Sequence, residues 1–487
     1  MFDWKKNITD ILLTIIKFIN RTGHIKNISK KENWWNKKIQ IPTWIIGIFL
    51  YIVLVVIFVY EFGISYEMFI GINFFVFICM FLSIYFLGQY KKEIIEDDDA
   101  ISLIGLVLVI FIFLIIIIRN SGITYFLLTP LPACSMILNI FFGPLVAFML
   151  SLILIIIMLM VYNYNFSVFF IMLFNCLFAI YGTRSVFSRK DIARAGIILG
   201  PFNILLIFML KVFFLINFKD LFNFFILGFV NGIGSAIITI GFLPYMESFF
   251  SIATNIKLLE LSDFMQPILK KMLFEIPGTY NHSIVVGNLG EAAAREIEAN
   301  PLLTRAAAYY HDIGKINNAQ YFIENNPDFV INKHDNLTPQ MSAMILISHV
   351  KYGISIAKKM KLPKQIIDII EQHHGNTLIA FFYDKAKKLY GEKNVDEKLY
   401  RYPYKKPQTK EAVIIMITDS IEAAMHTQTD FSKKNIKNVV NNIIQHKMAD
   451  SQFEESNITL SDLKKISDSC VETLMGIYHH RIEYPNL

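Results

Sequence analysis

The strongest constraint on this chain is where its charges are missing. Between residues 44 and 246 ionisable side chains vanish over stretches of about 44–60, 68–90, 101–118, 122–183, 195–210 and 221–246. Most of these reach the roughly 20 apolar residues that a helix needs to cross a bilayer. The fourth is too long for one helix. Gly143-Pro144 and Asn163-Tyr164-Asn165 interrupt it, which gives three spans there and eight in all. The 54% hydrophobic content of the 487 residues is concentrated in this block and disfavours a wholly soluble enzyme. Eight spans use roughly 160 residues, leaving room for one substantial soluble domain.

The net charge of +6 reads as topology rather than as affinity for nucleic acid, and no nucleic-acid polymer is expected as a partner. Nine basic residues (Lys5, Lys6, Lys17, Arg21, Lys26, Lys30, Lys31, Lys37 and Lys38) precede the first span. Lys91 and Lys92 occupy one later loop, and Arg184, Arg189, Lys190 and Arg194 another, whereas the alternate loops hold only Arg119 and Lys219. Basic residues favour the cytoplasmic side, so both termini are expected in the cytoplasm. No cleavable signal peptide is expected. Within 1–43, Phe2, Ile8, Ile11, Leu12, Ile15, Ile16 and Ile19 fall at helical spacing, and the tryptophans are Trp4, Trp34, Trp35 and Trp44. That pattern suits an interfacial amphipathic helix; a cytosolic helix packed on the soluble domain is the alternative. A transporter would place ionisable groups within its spans. Here only Lys211 qualifies, and it can snorkel; Asn73, Asn139, Asn175, Asn203 and Asn231 more often join helices to one another. Cys79, Cys134, Cys176 and Cys470 form no CxxC pair, so neither disulfides nor a thiolate metal site is suggested.

Residues 247–487 read as an all-helical domain, with helical runs separated by Gly, Pro and Asn. Ten of the eleven histidines lie there, His24 being the exception. Five of them and two aspartates form an ordered series: His282, His311-Asp312, His349, His373-His374 and Asp419. Side chains from several helices can converge in a bundle interior to build a metal site. Imidazole and carboxylate without thiolate suit Mn, Fe or another borderline metal better than a structural zinc. Lys315 follows Asp312 by close to one helical turn and can share its pocket; a solvated lysine where Gly314 stops the helix is the alternative.

The order H, HD, H, HH, D resembles the HD superfamily of metal-dependent phosphohydrolases. The flanking runs resemble one branch closely, the seven-transmembrane HD phosphodiesterases that hydrolyse cyclic di-AMP. They are GFLPYMESFF at 241–250, KLLELSDFMQPIL at 257–269, PGTYNHS at 277–283, AAAYYHDIGK at 306–315, YFIENN at 321–326, HDNLTPQMSA at 334–343, HHGNT at 373–377 and RYPYKKPQTKEA at 401–412. The resemblance covers 241–487 and, more loosely, the seven preceding spans. It implies an all-α protein in three parts: a cytosolic segment 1–43, a membrane domain 44–246 and a cytosolic HD-type metallohydrolase domain 247–487. It also implies a bacterial inner membrane, cleavage of cyclic di-AMP to pApA, and two divalent ions, Mn or Fe. Asp312 would bridge them, with His282, His311 and Asp419 on one ion and His349, His373 and His374 on the other. It favours a phosphate-stabilising role for Lys315, and allows a homodimer without marking its surface.

The chain also departs from that pattern. The interval 61–67 is too short for the extracellular domain that usually follows the first span, so an external sensor is expected to be absent or much reduced. Asn281 replaces the more usual histidine or glutamine, and Met425-His426 follow TDSIEAA where an arginine is common. Tyr280 and Tyr310 either stack on adenine or pack in the core. His334-Asp335 reads as a structural turn, His479-His480 as packing or solvated residues, and His426 and His446 carry no assignment. The Lys- and Tyr-rich run 385–410 is either a nucleotide-attracting patch or a solvated insertion. Cyclic di-GMP hydrolysis is the rival chemistry, disfavoured because HHGNT is followed by FFY and no Gly-Tyr-Pro signature. A non-catalytic nucleotide receptor is disfavoured because all seven candidate ligands are present.

Overall fold

The computed structural model describes residues 66–95, 97–120, 122–214, 221–326 and 333–478, together with isolated positions 48, 51, 52, 55 and 56. The segment 1–43 with its tryptophans, most of the expected first span, the interval 61–65 and His479-His480 lie outside the described residues. The described chain is all-α, as the pattern predicts. Its only β pairing is an isolated bridge between Leu378 and Arg401.

Seven apolar helices come first: α1 (Tyr66–Tyr90), α2 (Asp98–Asn120), α3 (Leu131–Phe142), α4 (Pro144–Val161), α5 (Phe166–Gly182), α6 (Arg189–Phe214) and α7 (Leu221–Phe250). Five of the seven contain stretches long and apolar enough to cross a membrane by themselves; α3 and α5 are shorter apolar helices. Their outward faces carry exposed Phe77, Phe81, Phe113 and Phe208, as lipid contact requires. The breaks follow local chemistry. Gly143 at φ +87° ends α3 and Pro144 opens α4. Asn163 and Tyr164 take left-handed turns, and Asn165 caps α5 by accepting from the Ser167 N–H at 3.0 Å. The expected span 122–142 is not one helix, however. A 3-10 turn, Ile123–Leu128, precedes α3, because Pro130 holds Thr129 extended and neither Pro130 nor Pro132 has an N–H to donate.

Three of the buried asparagines join elements together. Asn139 donates to the Ile180 carbonyl and to the Thr183 hydroxyl, both at 2.9 Å, Asn203 to the Gly228 carbonyl at 2.8 Å, and Asn231 to the Thr129 carbonyl at 2.9 Å. The α6 and α7 backbones touch at Gly232, where a Cβ would lie 2.5 Å from the Gly200 nitrogen.

α7 continues past residue 246 to Phe250 before a short link leads to α8 (Asn255–Leu261), capped by Thr254, whose hydroxyl also donates to the Glu247 carboxylate. The helices that follow are α9 (Pro267–Glu275), α10 (Pro277–Glu296), α11 (Pro301–Tyr310), α12 (Pro339–Lys359), α13 (Lys364–Gln372), α14 (Ala380–Tyr390), α15 (Lys410–Met425), α16 (Lys433–Ala449) and α17 (Leu460–Ile477). α10 is central and packs on α11, α15 and α17. One face of it, with Val286, meets a core containing Tyr309, Ile370 and Ile415; Leu289 belongs to a second core with Ile417, Ile436 and Ile466. Burying both faces of one helix fixes its rotation, and therefore where His282 points.

Candidate metal centre

The seven side chains of the predicted series come from five segments of the chain. His282 projects from the body of α10, and His349 and Asp419 from the bodies of α12 and α15. His311 and His373 occupy the residues that end α11 and α13, so Asp312 and His374 lie on the turns just beyond. The turn after Asp312 packs closely: a Cβ on Gly314 would sit 1.8 Å from the carbonyl oxygen of His349, so only glycine lets the His-Asp pair approach α12.

The seven side chains converge. Asp312 Oδ2 lies 3.1 Å from His311 Nε2 and 3.8 Å from His282 Nε2, while Oδ1 lies 3.3 Å from His349 Nε2 and 3.8 Å from His373 Nε2. The two oxygens of one carboxylate thus face two separate groups. Asp419 reaches both, with Oδ1 3.1 Å from His282 Nε2 and Oδ2 3.7 Å from His374 Nδ1. Three overlapping triads place their donor atoms within 4.8 Å: His282, His311 and Asp419; His349, His373 and His374; and His311, Asp312 and His373. His282 Nε2, His311 Nε2 and Asp312 Oδ1 are buried without a hydrogen bond of good geometry. Buried polar atoms aimed at a common point with no partner fit cation binding.

The electrostatics agree. Burial pulls His349, His373 and His374 below the usual imidazole range, His373 to about 3, so these rings are neutral and offer lone pairs. Burial opposes charge on Asp312 as well, but His311, Lys315 and His349 around it hold its carboxyl well below the usual range. Asp419 is lowered in the same way by His282 and His374. His282 differs: burial disfavours its charge, yet the carboxylates of Asp419 and Glu422 push it up to about 10.

Lys315 lies at the edge of the cluster, its Nζ 2.8 Å from Asp312 Oδ2 and 2.8 Å from Glu324 Oε1, so it shares the pocket rather than facing solvent. Tyr310 does not line the site. It is fully buried with its hydroxyl donating to the Leu261 carbonyl at 2.8 Å, which corrects the adenine-stacking alternative in favour of core packing. Tyr280 is partly exposed and edge-on to Phe264 at 6.1 Å. His334 is buried against the Tyr321 carbonyl at 2.8 Å, as a structural turn requires.

Two residues at the site escape a motif reading. Glu422 is buried and hydrogen-bonded to His282 Nδ1. Tyr402 stacks on the His374 ring at 4.4 Å between centroids, 30° from parallel. It is held there by its N–H donating to the Thr377 carbonyl at 3.1 Å, while Arg401 donates to the Asn376 carbonyl at 2.9 Å. The run 385–410 is therefore not wholly a solvated insertion, since its 400–402 portion straps the His-His turn.

Residues 66–254 match the family model described as a 7TM receptor with intracellular HD hydrolase, and residues 279–424 match the HD domain model. Two curated relatives carry the name Cyclic-di-AMP phosphodiesterase PgpH. The Bacillus subtilis protein is 34% identical over 82% of this chain and 58% of its own length; that of Listeria monocytogenes is 43% identical over 63% of this chain and 43% of its own length. The chain thus spans about half the length of the curated relatives it matches. A crystal structure of the Listeria monocytogenes PgpH HD domain in complex with cyclic-di-AMP is 47% identical, covers 44% of this chain and 100% of that chain, and has a TM-score of 0.43. The two family models follow one another along the chain, so residues 66–254 and 279–424 match, in this order, a 7TM receptor with intracellular HD hydrolase and an HD domain.

Proposed function

We propose that this protein is a membrane-anchored phosphodiesterase that hydrolyses cyclic di-AMP to pApA at the cytoplasmic face of a bacterial inner membrane, with both termini in the cytoplasm. The observation that carries the chemistry is Asp312, whose two oxygens face two separate sets of imidazoles. One carboxylate can then bridge two ions, with His282, His311 and Asp419 around one and His349, His373 and His374 around the other. The all-N/O donor set suits Mn or Fe. Two such ions supply Lewis-acid polarisation of the phosphodiester and an activated water.

The chain's own residues do the rest. Lys315 uses two of its three donors on Asp312 and Glu324 and keeps one for a non-bridging phosphate oxygen. Held by two carboxylates, the ammonium needs no reorganisation when negative charge builds on phosphorus. Tyr402 packs over His374 and fixes its ring plane. The cyclic di-AMP assignment draws on the names of the relatives and on the matching runs around the site.

The test is turnover of a cyclic-dinucleotide panel by detergent-solubilised protein, with bound metal quantified in the same sample. Cyclic di-AMP is expected to be cleaved to pApA in preference to cyclic di-GMP, and Asp312→Ala to lose turnover by about 100-fold or more. Binding without cleavage, or full turnover by Asp312→Ala, would overturn the catalytic reading.

A further inference from the structure

Histidines that bind metals through one nitrogen are oriented by what holds the other. His311 and His373 meet this need locally, with Nδ1 2.7 Å from the Ala308 carbonyl and 2.8 Å from the Ile370 carbonyl, three residues back along the chain; His349 does the same with Leu346. His282 does not. Its Nδ1 meets Glu422 Oε2 from α15, across 140 positions of sequence. Glu422 is 3% exposed, and its other oxygen accepts from His426 Nε2 at 2.7 Å. His426 ends α15 one turn beyond Glu422, and its side chain is 69% exposed. A continuous chain of hydrogen bonds therefore runs from the surface to one corner of the metal centre.

We propose that Glu422 is a positioning residue for His282, held in turn by His426, and that the pair sets the affinity of the one ion bound at His282, His311 and Asp419. This rests on the two-ion reading of the site. A buried carboxylate with both oxygens engaged cannot rotate away from the imidazole, so Nε2 stays aimed at the ion, and the negative charge behind the ring strengthens its lone pair. His426 supplies an exposed donor to this carboxylate, a role that an arginine side chain at the same position can also fill. In the other triad His349 and His373 are held by backbone carbonyls, and His374 by the Tyr402 ring with Asp419 Oδ2 3.7 Å from its Nδ1, so among the described residues no carboxylate is hydrogen-bonded behind those rings as Glu422 is behind His282.

The experiment measures Mn²⁺ stoichiometry and affinity by equilibrium dialysis and calorimetry on the full-length, detergent-solubilised protein and its Glu422→Gln, His426→Ala and His426→Arg variants. Glu422→Gln is expected to weaken one of two Mn²⁺ sites by about 10–100-fold and leave the other unchanged. Its turnover deficit should shrink as Mn²⁺ is raised, which a general folding defect would not do. His426→Ala, at an exposed position, should fold normally and show a smaller loss in the same site, and His426→Arg should restore it. Two sites of wild-type affinity in Glu422→Gln would overturn the proposal, as would equal weakening of both sites. His426→Ala binding Mn²⁺ as the wild type does would overturn the outer link. A wild-type protein that binds a single Mn²⁺ would refute the two-ion reading instead, and the clamp would then stand or fall on that one site's affinity in Glu422→Gln.

Discussion

If the site holds the proposed ions, His282 is the residue at which metal binding and protonation compete most directly. In the metal-free protein its pKa is pushed up to about 10, so at pH 8 the ring is charged, and a metal can take Nε2 only after a proton leaves. Calorimetry of Mn²⁺ binding at pH 8 in buffers of different ionisation enthalpy is therefore expected to show release of about one proton. Stability has the same origin. The contribution of His282 is fully present below its unfolded value of about 6.5 and is lost as pH rises through about 10. His349, His373 and His374 are lowered and contribute oppositely: their stabilisation is present above about 6.5 and lost as pH falls toward about 3, the value for His373. Thermal melts of chelated protein should peak near neutrality and fall on both sides, and a flat profile from pH 4 to 9 would refute this account. Tyr310 separates packing from binding. Tyr310→Phe removes one buried hydrogen bond and should cost about 1 kcal/mol of stability, with KM for the proposed substrate unchanged.

At the scale of elements, the site depends on the close packing of the turn after α11 against the body of α12. Gly314→Ala would press a methyl group into the His349 carbonyl, so α12 must shift and carry His349 away from Asp312 Oδ1. Overpacking of this kind costs about 1–3 kcal/mol. The expected result is a lower melting temperature together with weaker Mn²⁺ binding, whereas loss of stability with unaltered binding would show that the turn is merely structural. The candidate ligands could be named from the sequence because metal chemistry restricts residue type, whereas Gly314 reads there only as a helix stop; α11 ends before it, at Tyr310, and what the glycine permits is the close approach to α12. The helix breaks at Gly143-Pro144 and Asn163-Tyr164-Asn165 were visible for a similar reason, since proline and left-handed turns act locally. The split of 122–142 was missed because uniform hydrophobicity masks Pro130 and Pro132 within an apolar run. Glu422 was missed for a different reason: within SIEAAM it looks like any helix residue, and only packing of α15 on α10 brings it to His282. The position of Tyr402 likewise depends on the extended strap meeting Thr377, a contact with no local signature.

For the whole molecule, the question is how far metal binding is felt. Among the described residues, the buried cores of α1–α7 and of α8–α17 are separate apart from Ile256, which joins the cluster containing Leu199 and Leu243. Besides the α7–α8 link, whose Ser251 carbonyl accepts from the Lys364 N–H at 3.1 Å, the Arg189–Glu260 pair at 3.2 Å ties the two halves together. Arg189 and Glu260 are about half exposed, and such a pair is worth roughly 0–1 kcal/mol. A metal present at about 100 times its dissociation constant stabilises the state that binds it by about 2.7 kcal/mol. That exceeds what the exposed pair can transmit, so the stabilisation should remain largely within the helices that carry ligands. Hydrogen exchange of the full-length protein in detergent, with Mn²⁺ and with chelator, should therefore show slower exchange with metal in 279–321 and 339–425. Exchange in 98–214 should be unchanged. Matching changes in both halves would mean that the short link and Ile256 couple them far more strongly than their contacts imply, and would make the membrane helices direct participants in metal binding.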